Sequence, residues 1–274
     1  MPELPEVETV VRSISPHVTG KTIQHAALSS PRVTRGGLKE TAAALKHRVI
    51  NQVRRRGKQI FFDLDRGVLY VHLGMTGKLL WNGHRTPYTR AEIVLENGTL
   101  LYDDVRQFGR VEYFETAPKL IDRVGPDALS VSFGDFYARL KQHRTAIKSL
   151  LLNQAFISGV GNIYADEALF RARIHPLRPA GRLTRSDWER LRVAIEDALL
   201  AGIEAKGASI DDFRHVDGAR GSFQDRFLVH LRAEEPCVRC GRPIRKIVVG
   251  GRGTYVCEHC QPRPRRGATR RAAR

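Results

Sequence analysis

Cys237-Val238-Arg239-Cys240, followed after sixteen intervening residues by Cys257-Glu258-His259-Cys260, is the most specific pattern in the chain. Each Cys-x2-Cys pair can clamp one edge of a tetrahedral metal site, and four thiolates close the coordination shell around one structural Zn2+. Between the pairs, Ile244–Val249 and Gly253–Val256 are rich in β-branched residues and predict a hairpin with Gly250-Gly251-Arg252-Gly253 at its turn. Two disulfides or four unrelated thiols are the competing readings. All four cysteines of the chain lie in this stretch, unlike a disulfide framework spread through a secreted protein. His259 is expected to face solvent. The pattern predicts a small metal-stapled module behind larger domains.

Towards the N-terminus the apolar spacing is helical over Phe133–His143, Ala146–Leu152, Asn162–Arg171 and Trp188–Ala205. Thr184 and Asp187 form a capping box for the last helix, and Gly207 can end it. Residues 207–223 carry Gly207, Gly218 and Gly221 without an apolar period and read as a long loop. Gly125-Pro126-Asp127 separates this helical region from short β-branched and aromatic runs at Gln59–Leu64, Val68–Leu73, Lys78–Trp81, Ala91–Leu95, Thr99–Tyr102 and Arg110–Phe114. Those runs predict an antiparallel sandwich or barrel. Before them, Val7, Val10, Val11 and Ile14 share one face of a short amphipathic helix, with Pro5 in its first turn.

The chain has 274 residues, and its 46 Lys and Arg against 29 Asp and Glu leave a net charge of +17. Such an excess most often meets a polyanion, with nucleic acid ahead of an anionic membrane. Six of those charges are arginines of the tail Arg263–Arg274, so the body retains the larger share. No run approaches the roughly 18 apolar residues of a membrane span, and the N-terminus is acidic where a signal peptide is basic. A cytoplasmic protein is expected.

Four local features could carry chemistry. Arg252 on a Gly-rich hairpin tip suits a phosphate or a narrow groove, although any tight hairpin needs glycine. Ser158-Gly159-Val160-Gly161-Asn162 opens a helix N-terminus that, with Lys148 before it, could clamp a phosphate, although such turns are usually only turns. Lys58 follows Arg54-Arg55-Arg56-Gly57, a run that reads on its own as a solvated strand edge. Once Met1 is removed, Pro2 exposes a secondary amine beside Glu3, a nucleophile for an electrophilic sugar carbon. Its plain alternative is that Pro2 and Pro5 stiffen the start of a helix.

Taken together, Met1-Pro2-Glu3-Leu4-Pro5-Glu6-Val7-Glu8-Thr9, His72-Leu73-Gly74-Met75-Thr76-Gly77, Asp104-Val105-Arg106-Gln107-Phe108-Gly109, Gly125-Pro126, Val160-Gly161-Asn162-Ile163-Tyr164-Ala165-Asp166-Glu167 and the cysteine finger resemble bacterial formamidopyrimidine-DNA glycosylase, in order and spacing from residue 2 to 261. The resemblance implies an α+β multidomain chain. An N-terminal catalytic β-sandwich with a short helix would span 1–130, a helix–two-turn–helix DNA-binding domain 131–232 and a zinc finger 233–262. Residues 263–274 would form a basic disordered tail that adds salt-sensitive affinity for DNA.

By the same resemblance the protein is a bifunctional DNA glycosylase and abasic-site lyase. It would excise oxidised purines from double-stranded DNA lying between its domains, then cut the strand by β,δ-elimination. Pro2 would attack C1′, Glu3 would act as acid towards the sugar ring oxygen, Lys58 would contact phosphate and assist, and Glu6 would order the site, with Arg252 joining the catalytic set. Met75, Arg106 and Phe108 would fill the gap left by the extruded base, with Lys148, Asn162 and Arg252 as further DNA contacts. A bacterial, nucleoid-associated monomer is expected. Gln107 stands where the family has a second basic residue, and Val229-His230-Leu231-Arg232 replaces a Tyr-Gly-Arg-like segment. The alternatives are a sister glycosylase for oxidised pyrimidines and a non-catalytic zinc-bearing DNA-binding protein.

Overall fold

The computed structural model describes residues 1–116, 124–140, 143–210 and 216–264. The chain divides into two compact units that do not follow sequence order. The first joins Met1–Ser130 to Gln154–Gly161 and Ala198–Arg226; the second comprises Val131–Asn153, Asn162–Asp197 and Phe227–Arg274.

The first unit opens with helix α1 (Leu4–Val18), whose apolar face of Leu4, Val7, Val10, Val11, Ile14 and Val18 is buried. Eight strands follow, β1 (Ile23–Leu28), β2 (Ile50–Arg56), β3 (Gln59–Leu64), β4 (Val68–His72), β5 (Lys78–Trp81), β6 (Thr89–Leu95), β7 (Gly98–Asp103) and β8 (Arg110–Phe114), with helix α2 (Leu38–Leu45) after β1. They form two antiparallel sheets, ordered β1-β6-β7-β5 and β2-β3-β4-β8. Ala91, Ile93 and Leu95 of β6 alternate with partly exposed neighbours, as a strand with one face on a core requires. The core draws Ile93, Leu100 and Tyr102 from one sheet, Ile60, Phe62 and Val71 from the other, and Val10 and Ile14 from α1, so the architecture is a sandwich with a helix packed on it.

β1, α2 and β2 are the elements that periodicity did not predict. Both strands lie at sheet edges, and each carries a register shift, between Ile23 and His25 and between Ile50 and Gln52. A bulge breaks the period of two on which strand prediction rests.

The second unit holds α3 (Phe133–Leu140), α4 (Ile147–Leu151), α5 (Asn162–Arg171), most of α6 (Arg185–Glu204), and the hairpin of β9 (Arg245–Val249) and β10 (Arg252–Val256). α6 begins with the predicted capping box: Asp187 N donates to Thr184 Oγ1 at 3.1 Å and Thr184 N donates to Asp187 Oδ2 at 3.0 Å. Trp188, wholly buried, packs against Phe136 at 4.2 Å between ring centroids. Phe170, Val229, Ile244, Tyr255, Cys237 and Cys257 form a separate core that joins α5 to the hairpin. The hairpin turns through Gly250 and Gly251, both at positive φ, as a two-residue primed turn requires. No helix among the described residues is long and apolar enough to cross a membrane. Of the predicted tail, residues 265–274 lie outside the described residues.

Candidate active site

Pro2 and Glu3 are buried at the start of α1, and Met1 is half exposed. The chain reaches that position because two glycines admit it. Leu4 N donates to Gly159 O at 3.0 Å, and Gly159 sits at φ +103° where a Cβ would overlap the Leu4 side chain. A Cβ at Gly161 would overlap the Glu3 carboxylate. The glycines of the Ser158–Asn162 segment therefore serve close packing of the N-terminus.

Glu3 and Glu6 form a reciprocal capping box, in which the Glu3 side chain accepts from the Glu6 backbone and Glu3 N donates to Glu6 Oε2 at 2.8 Å. The other Glu6 oxygen accepts from Ala208 N at 2.8 Å. Two carboxylates thus lie on the positive end of α1, where the helix dipole favours negative charge. Both are almost wholly buried.

Lys58, also buried, is carried by the β2–β3 turn. Gly57 precedes it at φ +58°, and its N–H donates to Asp127 Oδ2 at 2.8 Å. Asp127 pairs in addition with Arg55, whose Nε donates to Glu8 Oε2 at 2.8 Å. Burial pushes the Glu8 carboxyl up, but Arg55 and Arg12 outweigh it and hold the group below its ordinary value. Of the arginine run before Lys58, Arg55 is thus an internal tie and not a solvated edge. Lys58 also acts on His72 of β4. Burial first, then the charges of Lys58 and Arg110, bring that imidazole down to about 4, and its Nδ1 accepts from Gly74 N at 3.1 Å.

Met75 lies in the β4–β5 loop, and Arg106 and Phe108 lie in the β7–β8 loop. Phe108 is 55% exposed and Met75 41%, so neither belongs to a core, and the Arg106 guanidinium lies 4.8 Å from the Phe108 ring centroid. Gln107 adopts φ +56° and accepts from Ser30 Oγ at 2.6 Å, so it anchors the loop from within.

In the second unit Arg252 is exposed at the head of β10, and Asn162 opens α5, its Nδ2 donating to Gly253 O at 3.0 Å. The expectation for Lys148 is corrected. Its side chain is wholly buried, paired with Asp166 at 2.7 Å and donating to Gly253 O and Thr254 Oγ1, so it has no surface to offer a phosphate. The lysine instead holds α4, α5 and β10 together. Glu167 was also missed as an organiser: its Oε1 accepts from Leu228, Val229 and His230 N–H groups at 3.0 Å each. That grip keeps the Val229–Arg232 segment in place although Leu231 stands at φ +60°.

The four cysteines are free of disulfides, and their sulfurs all lie within 4.8 Å of one another. The Cys240–Cys257 and Cys237–Cys260 separations of 3.5 and 3.9 Å match the edge of about 3.8 Å that bonds of about 2.3 Å give a tetrahedral zinc–thiolate site. The residues therefore fit one structural zinc ion. Arg239 also donates to Phe170 O at 2.8 Å, capping the C-terminus of α5. His259 is exposed, as expected.

Three family models match in chain order: the formamidopyrimidine-DNA glycosylase N-terminal domain over 1–111, the formamidopyrimidine-DNA glycosylase H2TH domain over 124–214, and a zinc finger found in FPG and IleRS over 234–263. A formamidopyrimidine-DNA glycosylase of Solibacter usitatus is 49% identical, with 96% of this chain and 100% of the relative covered; one of Thermus thermophilus is 44% identical, with 95% and 98% covered. The crystal structure of the MutM (Fpg) protein of Thermus thermophilus superposes with a TM-score of 0.87 at 42% identity, covering 95% of this chain and 98% of that one. A complex of the Lactococcus lactis Fpg with DNA containing an abasic site superposes with a TM-score of 0.88 at 33% identity, covering 95% and 100%. Matched by these models from its first residue to its finger, this chain belongs to the formamidopyrimidine-DNA glycosylase family.

Proposed function

We propose that this protein excises oxidised purines, chiefly 8-oxoguanine and formamidopyrimidines, from double-stranded DNA and then cleaves the abasic strand, in a bacterial cytoplasm at the nucleoid and as a monomer. The observation that carries the reading is the buried Pro2-Glu3 pair, seated by Gly159 and Gly161 and tied by Glu6. Once Met1 is removed, the Pro2 nitrogen is a secondary amine with a lone pair for C1′. Glu3 supplies a proton towards the sugar ring oxygen as that ring opens. The N–C1′ bond forms as the bond to the damaged base breaks. The resulting iminium withdraws electrons from C2′, whose proton is lost as the 3′ phosphate leaves; a second elimination releases the 5′ phosphate. One amine thereby serves both activities.

Lys58, a buried cation whose charge reaches His72, contacts a backbone phosphate and assists the reaction. Met75 and Phe108 act as apolar wedges that unstack the lesion step, and Arg106 hydrogen-bonds the orphaned partner base. Arg252 and Asn162 contact backbone phosphate. The solved relative bound to abasic-site DNA supports this reading. Leu4 and the Val7-Glu8-Thr9 continuation favour purine lesions over pyrimidine ones.

Borohydride trapping on duplexes carrying 8-oxoguanine or thymine glycol tests it. A covalent adduct at Pro2, formed faster with 8-oxoguanine and abolished by Pro2→Gly, is expected. Wild-type crosslinking in Pro2→Gly at another residue, or preference for thymine glycol, would overturn the assignment.

A further inference from the structure

The wedges sit on two separate loops, 73–77 and 104–109, and a single carboxylate holds both. Asp104 is wholly buried. Its Oδ1 accepts from Thr76 Oγ1 at 2.5 Å, next in the chain to Met75, and its Oδ2 accepts from Gly109 N at 2.9 Å, next to Phe108. Tyr102 Oη reaches the same Oδ2 at 3.4 Å and donates to His72 O at 3.2 Å. The lock is closed a second time, because Thr76 Oγ1 accepts from Arg106 N at 3.0 Å. Gly74 lets the loops touch backbone to backbone: a Cβ there would lie 2.6 Å from Gly109 N and 2.7 Å from Phe108 C. Burial first, and then Asp104, push the Tyr102 hydroxyl far above the ordinary phenol range, so it remains a donor.

We propose that Asp104 is a positioning residue for base extrusion, binding the Met75 loop to the Arg106–Phe108 loop so that the three side chains enter the duplex as one rigid element. The proposal rests on the reading of Met75 and Phe108 as wedges. The chemistry selects a carboxylate. Thr76 Oγ1 and Gly109 N donate to different oxygens of Asp104, and a carboxylate offers two oxygens that only accept, whereas an asparagine in the same place turns an N–H towards one of the donors. Charge-assisted bonds to a buried carboxylate are among the stronger hydrogen bonds, and Gln107, which accepts from Ser30 Oγ, ties the 104–109 loop elsewhere but not to the Met75 loop. Asp104 touches no reacting atom. Its loss should therefore affect the extrusion of a base and not the elimination that follows.

The experiment compares two duplexes in single-turnover conditions, one with 8-oxoguanine paired to cytosine and one with a preformed abasic site. Asp104→Asn is expected to slow excision of 8-oxoguanine by about tenfold or more, the equivalent of one charge-assisted bond, and to slow abasic-site cleavage far less. Thr76→Val removes one donor without leaving a buried amide and is expected to move in the same direction; it decides the matter if Asp104→Asn does not fold. Equal loss on both duplexes, or excision at the wild-type rate, overturns the proposal. Met75→Ala and Phe108→Ala, run beside them, separate the two levels. If they show the contrast and the Asp104 and Thr76 variants do not, the positioning role falls alone; if they show none, the wedge reading falls.

Discussion

Lys148 and Asp166 meet at 2.7 Å with neither side chain exposed. Asp166 uses its other oxygen on His230 Nδ1 at 2.9 Å, so one carboxylate joins α4, the segment before the finger and, through Lys148, the Gly253 carbonyl of β10. Removing one partner of such a pair leaves an uncompensated charge in the interior. Lys148→Met is expected to cost about 3–5 kcal/mol in chemical denaturation, and adding Asp166→Leu to restore part of it, because the bare ion is gone although His230 and the Gly253 carbonyl lose a partner. A loss of under about 1 kcal/mol in the single variant would show the pair to be solvated.

His72 gives a stability that depends on pH. Its ordinary value of 6.5 falls to about 4 in the folded chain, through burial and then the charges of Lys58 and Arg110. Below about 6.5 the unfolded chain takes up a proton that the folded chain refuses until about 4, so the contribution is complete above that window and lost as pH falls through it. Melting temperatures between pH 7 and 4.5 should decline less steeply in His72→Gln than in the wild type. Parallel curves would show that His72 protonates freely in the folded state.

Purified protein should contain one zinc per chain, and chelation should release the β9–β10 hairpin together with the Arg239 cap on α5. DNA affinity is expected to fall while the sandwich stays folded, since its core contains no residue of the finger. Circular dichroism and a binding isotherm with and without chelator provide the check. Full affinity in a zinc-free protein would contradict it.

Deleting residues 263–274 removes six arginines. The slope of log affinity against log salt should become shallower, by up to about 0.9 for each phosphate that the tail no longer neutralises, and the excised base should not change. An unchanged slope would mean that the tail does not touch phosphate.

Strands with regular alternation were legible in the sequence: Gln59–Leu64, Lys78–Trp81 and Arg110–Phe114 occur at the residues predicted, as does α5 at Asn162–Arg171. The finger was legible because its ligands lie close together in the chain, and a tetrahedral site restricts their spacing. Lys148 was misplaced because a lysine beside a glycine turn looks the same whether it faces solvent or a buried Asp166, and the difference lies in a hairpin about a hundred residues away. Asp104 and Glu167 lie within the 104–109 and 160–167 motifs, yet nothing local distinguishes a carboxylate that gathers several donors from one that faces water. Such roles arise only when loops distant in sequence converge.

Glu6 ties the backbone N–H of Glu3 to that of Ala208, two groups that are synthesised far apart in time. On a ribosome building the chain from its N-terminus, Pro2 emerges among the first residues, but the clasp over it must wait for Ala208. An unfinished chain thus carries its first residues without the bond that ties Glu6 to the far end of the same unit. The N-terminal segment gains its full set of hydrogen bonds only with the last quarter of translation.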